Sequence, residues 1–236
     1  MFPGTRERER SPMLNAHAHP VYRIALGVDI EGSTTRSNRE KPVLREVMYE
    51  IIAEALARHG IGDDVDRLVD RGDGALALIR PSDRVPKTLL LGSVVPELSK
   101  LLTRHNTRRP EVSMRLRAVV HAGEVHFDER GQFGELLDVA CGLLDAPRLK
   151  LALRETSAPL VLVVSDELYW SVVHHGYDSI AVPSFAPLVN VQVGPAPRQG
   201  WVHVPGEPTT WQYGPVRGPV GSPRRGLPLP DVSAVD

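Results

Sequence analysis

Apolar positions along the chain follow two spacings, one typical of buried strands and one typical of amphipathic helices. Residues 22–30 form a nearly continuous apolar run with Asp29 close to its end, which predicts a buried strand. Residues 42–59 begin with a proline and repeat apolar side chains at i, i+4 and i+8. They predict a helix that faces a core and ends at Gly60.

The same two patterns continue to about residue 204. Residues 66–79 predict two short strands, and the glycines of the RGDG segment at 71–74 permit a tight turn between them. The remaining predicted elements are a helix over 86–105, a strand over 113–121, a helix over 135–153 that Pro147 ends or kinks, a strand over 159–164, a short helix over 166–174, and strands over 188–193 and 201–204.

The order of these elements predicts an α+β fold. Its core is a ferredoxin-like βαββαβ unit with added terminal elements, and we expect the helices on one face of a mainly antiparallel sheet. Of the 236 residues, 42% are hydrophobic and 24% are charged, which is typical of a globular domain. We therefore expect one domain over residues 21–204, between a polar tail at 1–20 and a Pro/Gly-rich tail at 205–236, both disordered.

Charge and cysteine content narrow the classes of function. The 28 Lys and Arg residues nearly balance the 29 Asp and Glu residues, so the composition provides no basic field for nucleic acid. The single cysteine, Cys141, excludes an intramolecular disulfide and a multi-cysteine zinc site. With neither a signal peptide nor an apolar run of spanning length, the sequence predicts a cytoplasmic protein that does not enter membranes.

Two aspartates stand at positions suited to metal chemistry. Asp29 ends a predicted strand, and Asp73 lies at the turn of the following hairpin. If neighbouring strands bring them together, Mg²⁺ or Mn²⁺ would relieve their repulsion and also bind phosphate oxygens. The Gly32-Ser33-Thr34 segment could offer backbone N–H groups to those phosphates. Taken alone, the same residues also fit a capped turn and an ordinary Asp-Gly hairpin.

Three motifs in order resemble the class III adenylate and guanylate cyclases: VDIEGST at 28–34, RGDG at 71–74 and VHAGEV at 120–125. The resemblance covers about residues 22–204 and is strongest to actinobacterial cyclase-homology proteins. It implies a cyclase that converts a nucleoside triphosphate to a 3′,5′-cyclic nucleotide and pyrophosphate.

The resemblance also implies how the site is built. Asp29, Asp73 and the Ile30 carbonyl would bind two Mg²⁺ or Mn²⁺ ions per site. The sites would lie at the interface of a head-to-tail homodimer, with the residues that stabilise the transition state coming from the second subunit.

The sequence departs from the family pattern on the helix after Gly134. Asp138 stands where the family has an asparagine, and Gly142 stands where it has an arginine that stabilises the transition state. An aspartate can still accept a hydrogen bond from a ribose hydroxyl, but a glycine supplies no charge, so a compensating arginine is needed. Arg71 and Arg148 are the nearest candidates in sequence.

Two further departures concern the triphosphate and the base. The lysine that contacts the triphosphate in the family is missing near residues 191–193, and Arg198 could replace it. The lysine and aspartate pair that selects adenine would fall at Val69 and near Gly131, so the adenine code is absent. This favours a pyrimidine triphosphate, as in the uridylate and cytidylate cyclases of bacterial anti-phage defence, with a separate cyclic-nucleotide effector.

Gly142 leaves two alternatives open. One is a catalytically weak or inactive cyclase-homology domain that acts as a nucleotide sensor or dimerisation module. The other is a heterodimer in which a partner chain supplies the missing arginine.

Overall fold

The computed structural model describes residues 19–177 and 179–207. The predicted tails at 1–20 and 205–236 lie almost wholly outside these described residues. The strands and helices, in chain order, are β1 Val21–Ile30, α1 Glu40–Arg58, β2 Val65–Asp70, β3 Gly74–Ile79, α2 Lys87–Leu89, α3 Val95–Arg108, β4 Leu116–Asp128, β5 Gly131–Phe133, α4 Glu135–Asp145, α5 Pro147–Glu155, β6 Leu160–Ser165, α6 Asp166–Ser171, β7 Ala186–Val193 and β8 Ala196–His203. Within the described residues, none of these helices is long and apolar enough to span a membrane.

The strands form one sheet in the order β2-β3-β1-β4-β6-β8-β7, and β5 pairs with β4. Neighbouring strands run antiparallel except β4 and β6, which are parallel. The order β2-β3-β1-β4, with α1 and α3 in contact with one another, confirms the predicted ferredoxin-like βαββαβ core. The strands β6 to β8 extend this core at the β4 edge.

Helices cover both faces of the sheet, so the expectation of one covered face is wrong. Alternate residues of β1 belong to two separate apolar clusters: Ile24 packs with α1 and α3, whereas Ala25 packs with α4 and α5. A strand buried on both faces has no polar face, and its sequence becomes a continuous apolar run. The segments 22–30 and 159–164 are such continuous apolar runs.

The predicted helix over 135–153 is two helices. Ala146 separates α4 from α5 in an extended conformation, and Pro147 occupies the first turn of α5. Proline is favoured there because the first helical N–H has no intrahelical partner to lose. The other long predicted helix, 86–105, is continuous through a π-helical turn at Leu90–Val94.

Candidate active site

Asp29 and Asp73 meet at one end of the sheet because β1 and β3 are neighbours. Asp29 is paired in register with Gly74, and the amide of Ile30 donates to the Asp73 carbonyl at 3.0 Å. A Cβ at Gly74 would lie 2.6 Å from the Val28 carbonyl oxygen and 3.2 Å from Asp29 Oδ1. Only glycine therefore allows the hairpin to approach β1 this closely.

Each aspartate has a defined partner. The side chain of Asp29 is 14% exposed and forms an ion pair with Arg117 Nη2, and the Arg117 side chain is only 9% exposed. The buried Ser33 donates its hydroxyl to Asp73 Oδ2. These contacts fix both carboxylates in place, and Arg117 offsets part of their repulsion.

The segment after β1 forms a short turn, and the long helix α1 begins only at Glu40. Gly32 has a left-handed φ of 66°, and a 3₁₀ turn follows at Ser33–Thr35. The amides of Thr35 and Arg36 close this turn by donating to the carbonyls of Gly32 and Ser33, both at 3.1 Å. The earlier N–H groups of such a turn have no partner within it, which is the arrangement expected of a phosphate-binding segment.

A cavity of about 280 Å³ connects this turn with the metal-site candidates. The residues that line this cavity, which we call the metal-side cavity, are Ile30, Ser33, Thr34, Lys41, Leu44, Arg45, Gly72 and Asp73. The structure thus brings the predicted site residues Ile30, Ser33, Thr34 and Asp73 to one cavity, and it pairs Asp29 with Gly74, the residue that follows Asp73.

The donor set fits Mg²⁺ or Mn²⁺. Asp29 and Asp73 offer hard carboxylate oxygens, and Ile30 lines the metal-side cavity together with Asp73. Within the described residues there is no group of three or more His, Cys, Asp or Glu side chains that could hold a metal ion. A divalent ion here would take its remaining ligands from water and substrate phosphate, as Mg²⁺ commonly does.

Arg117 is the site residue that the sequence analysis missed. It lies on β4 directly opposite Asp29, in the register Asp29↔Arg117. The signal was present in the sequence, because a charged residue within the apolar run 116–121 of a central strand needs a buried partner. Its pairing with Asp29 could be found only by setting β1 and β4 side by side.

Asp138 and Arg198 lie away from the metal-side cavity of the same chain. Asp138 is exposed on α4, two turns or about 10 Å before Asp145. Arg198 is on β8, two residues before Gly200 in the chain, and Gly200 pairs with Ser165 of β6. Following the register from Asp29 across β4 and β6 places Arg198 about 20 Å along the strands from Asp29.

Arg198 is also occupied by other partners. It pairs with Glu135 at the start of α4 and with Glu167 at 3.2 Å.

The arginine candidates Arg71 and Arg148 have different surroundings. Arg71 folds against α4, with Nη1 2.6 Å from Cys141 Sγ and Nη2 4.0 Å from Asp145 Oδ2. Arg148 lies in the first turn of α5. A Cβ at Gly142 would lie 3.2 Å from Val193 Cγ2, so an arginine there would push against β7.

The positions of the missing adenine code share a cavity of about 360 Å³. Val69 and Gln132, which follows Gly131, line it together with Arg71 and Leu137. We call it the hairpin cavity, because it lies behind the β2–β3 hairpin. Asp70 also borders it but pairs with Arg45 at 2.6 Å. The amide of Gln132 is thus a hydrogen-bonding group suited to a base in this cavity.

Solved structures of known proteins share the fold of this chain. No protein-family model matches the chain, and no curated protein matches it in sequence. Solved structures do match. The guanylyl cyclase Cya2 superposes with a TM-score of 0.55 at 16% identity, over 81% of this chain and 96% of that one. The fold is that of the class III nucleotidyl cyclases.

Two other matches agree. An adenylate/guanylate cyclase/hydrolase from Silicibacter pomeroyi gives a TM-score of 0.52 at 17% identity, over 80% of this chain and 100% of that one. The catalytic core of a rhodopsin-guanylyl cyclase with converted specificity, in complex with ATPαS, gives 0.51 at 16% identity, over 78% and 96%. At such identities the likeness establishes the class III cyclase fold.

His121, in the third motif, is a core residue. It is 5% exposed, and its Nδ1 lies 2.8 Å from the Ser165 hydroxyl. Burial lowers the pKa of His121 to about 4, and burial likewise lowers the pKa of His203 to about 4. Both imidazoles are therefore neutral in the folded protein at neutral pH.

We expect the free energy of unfolding to fall between pH 7.5 and pH 5. Below pH 6.5 the unfolded chain protonates both histidines, whereas the folded protein does so only near pH 4. Each should cost about 2 kcal/mol at pH 5. Urea unfolding at the two pH values measures this loss. His121→Gln should remove about half of it, and His175→Gln, at an exposed position, should leave it unchanged.

Proposed function

We propose that this protein is a nucleotide cyclase that converts a nucleoside triphosphate to a 3′,5′-cyclic nucleotide and pyrophosphate. The observation that carries the proposal is the meeting of Asp29 and Asp73 at the end of β1 and β3, each held by its own partner, on a class III cyclase fold. A purely structural domain has no physical need for two carboxylates at the ends of these neighbouring strands.

In this reaction the ribose 3′ oxygen forms a bond to the α-phosphorus. The bond from the α-phosphorus to the oxygen that bridges to the β-phosphorus breaks, pyrophosphate leaves, and the 3′ proton is lost. Asp29, Asp73 and the Ile30 carbonyl would hold two divalent ions, which lower the pKa of the 3′ hydroxyl and neutralise the triphosphate.

The other residues of the site bind and orient. Ser33 holds the Asp73 carboxylate by its hydrogen bond to Oδ2, and the backbone of Gly32 to Thr34 offers N–H groups to the phosphates. Arg117 places a buried positive charge beside Asp29, where the triphosphate charge would collect.

We infer that the active form is a homodimer with its sites at the interface. Asp138 is exposed and does not line the metal-side cavity of its own chain, so it is available to contact a ribose in a second subunit's site. The same holds for Arg198, which lies about 20 Å along the strands from Asp29. Arg71 and Arg148 are our candidates for the charge that Gly142 does not supply.

We further propose a pyrimidine triphosphate as substrate. The hairpin cavity presents the apolar Val69 and the Gln132 amide where the family's adenine-reading pair would stand. An amide can donate and accept a hydrogen bond on the edge of a pyrimidine. The proposed role in anti-phage signalling through a separate effector rests on the resemblance to pyrimidine cyclases.

One assay tests the activity and the base together. Purified protein is incubated with Mn²⁺ and each of ATP, GTP, CTP and UTP, and cyclic monophosphates are identified by mass spectrometry. We expect a cyclic product from CTP or UTP. A purine product would contradict the pyrimidine proposal alone, and no product from any triphosphate would favour the sensor or heterodimer alternative.

Subunit complementation tests the interface site. Asp73→Ala and Asp138→Ala homodimers should each be nearly inactive, because each lacks an essential group in both sites. When the two variants are co-expressed, about half of the dimers contain one subunit of each kind, and each such dimer has one intact site. The co-expressed protein should therefore recover roughly a quarter of wild-type turnover. An unchanged low rate in the mixed dimers would show that Asp138 acts within its own chain, and full activity of the Asp138→Ala homodimer would show that it has no role.

A further inference from the structure

A third cavity, of about 600 Å³, is lined by Glu31, Gly32 and Thr35, the residues around the Ser33–Thr34 segment that lines the metal-side cavity. We call it the basic cavity, because four cationic side chains line it against two anionic ones. These charged lining residues are Arg36, Arg117, Lys150, Arg154, Glu31 and Glu40.

The negative charges in the basic cavity do not balance the positive ones. Glu31 pairs at 3.4 Å with Arg115, which is not among the lining residues, and Glu40 pairs with Arg36 at 3.8 Å. Arg154 makes no ion pair within the described residues. Arg117 and Lys150 have the acidic partners Asp29 and Asp145, so the excess positive charge at the cavity is that of Arg154.

Arg117 lines the basic cavity, and its guanidinium group does not make all the hydrogen bonds that it could. Its side chain is 9% exposed, and in the part of the chain that the structure describes its Nε has no hydrogen-bond partner. Arg154 lines the same cavity, and an anion bound there could accept hydrogen bonds from both guanidinium groups.

The two cations contributed by α5 are rigidly placed. Lys150 and Arg154 are four residues apart, so they lie on the same side of the helix. Leu149 and Leu153 anchor α5 in the core, each fully buried. Lys150 contacts Asp145 at 3.5 Å, a partly exposed pair that a more highly charged anion would displace.

We propose that the basic cavity binds the outer phosphates of the triphosphate, and then pyrophosphate, through Lys150 and Arg154 of α5 together with Arg117. The basic cavity adjoins the candidate metal site, because its lining residue Arg117 pairs with Asp29 and its lining residues Glu31, Gly32 and Thr35 come from the segment that follows β1. A polyphosphate bound at the metal site can therefore extend into this cavity. This inference rests on the proposed function, because it names the residues that hold part of the same substrate.

Pyrophosphate binding tests the inference without turnover. We would titrate sodium pyrophosphate into the full-length protein by calorimetry, with EDTA present to remove divalent ions. The double variant Lys150→Gln/Arg154→Gln should bind at least about tenfold more weakly than wild type, because two charge-assisted contacts are lost. The matched control, Lys100→Gln/Arg108→Gln, removes the same charge from α3 and should bind as wild type does.

Three results would overturn the inference: no pyrophosphate binding by the wild-type protein, equal affinity in wild type and the α5 variant, or equal weakening in the α5 variant and the control. Circular dichroism confirms that both variants are folded. If pyrophosphate binds as expected but no triphosphate is cyclised, the cavity assignment stands and the cyclase proposal fails. If cyclisation occurs while the α5 variant binds normally, only the cavity assignment fails.

Discussion

Replacing Asp73 by asparagine is expected to lower the turnover of the preferred nucleoside triphosphate at least about a hundredfold. Asparagine keeps the shape of the side chain and can still accept from the Ser33 hydroxyl, but it has no charge to hold a divalent ion. The measurement is the rate of cyclic nucleotide formation over a Mn²⁺ titration. Asp29→Asn should have an effect of similar size.

The matched control for these variants is Asp83→Asn, at an exposed loop position away from the metal-side cavity. It should retain wild-type turnover. Circular dichroism of Asp73→Asn should show an unchanged fold, because its hairpin keeps the backbone hydrogen bond from Ile30. Full activity in Asp73→Asn would remove this carboxylate from the mechanism, whatever the fold.

Arg117→Met is expected to lower the free energy of unfolding by about 3 kcal/mol. The substitution keeps an apolar stem of similar length but leaves the mostly buried Asp29 carboxylate without its partner. Adding Asp29→Asn to Arg117→Met should restore part of the lost stability, because the unpaired charge is then gone. Urea unfolding of the wild type, the two single variants and the double variant measures this coupling.

Arg45→Met provides the comparison. Arg45 pairs with Asp70 at 2.6 Å, but the Asp70 side chain is 61% exposed, so water replaces the lost partner. We expect a loss of less than about 1 kcal/mol. Equal losses in Arg117→Met and Arg45→Met would contradict the assignment of Arg117 to a buried, energetically coupled pair.

Local patterns in the sequence predicted most of the fold. The apolar runs, the i, i+4 spacing and the RGDG turn predicted the strands and helices of the βαββαβ core, and the structure confirms them. These signals are local because each depends on neighbouring side chains sharing a face. Pro147 was also informative, although it begins α5 as well as ending α4.

The approach of the RGDG hairpin to the end of β1 was expected from the sequence, since a strand and the next hairpin are often neighbours, and the β1–β3 register pairs Asp29 with Gly74. Arg117 and the two α5 cations were not expected. These three residues lie at least 88 residues after Asp29 in the chain. The pairing of β1 with β4 places Arg117 beside Asp29, and the packing of α5 on the same face of the sheet places Lys150 and Arg154 at the cavity that Arg117 lines.

The sequence by itself determined which segments form strands, helices and turns, because these properties depend on residue type and short spacing. The tertiary structure alone decided that both faces of the sheet are covered, that Arg117 neutralises Asp29, and that Asp138 and Arg198 lie away from their own chain's metal-side cavity. Strand order and register set these relations, and they arise from packing over long separations that no local pattern encodes.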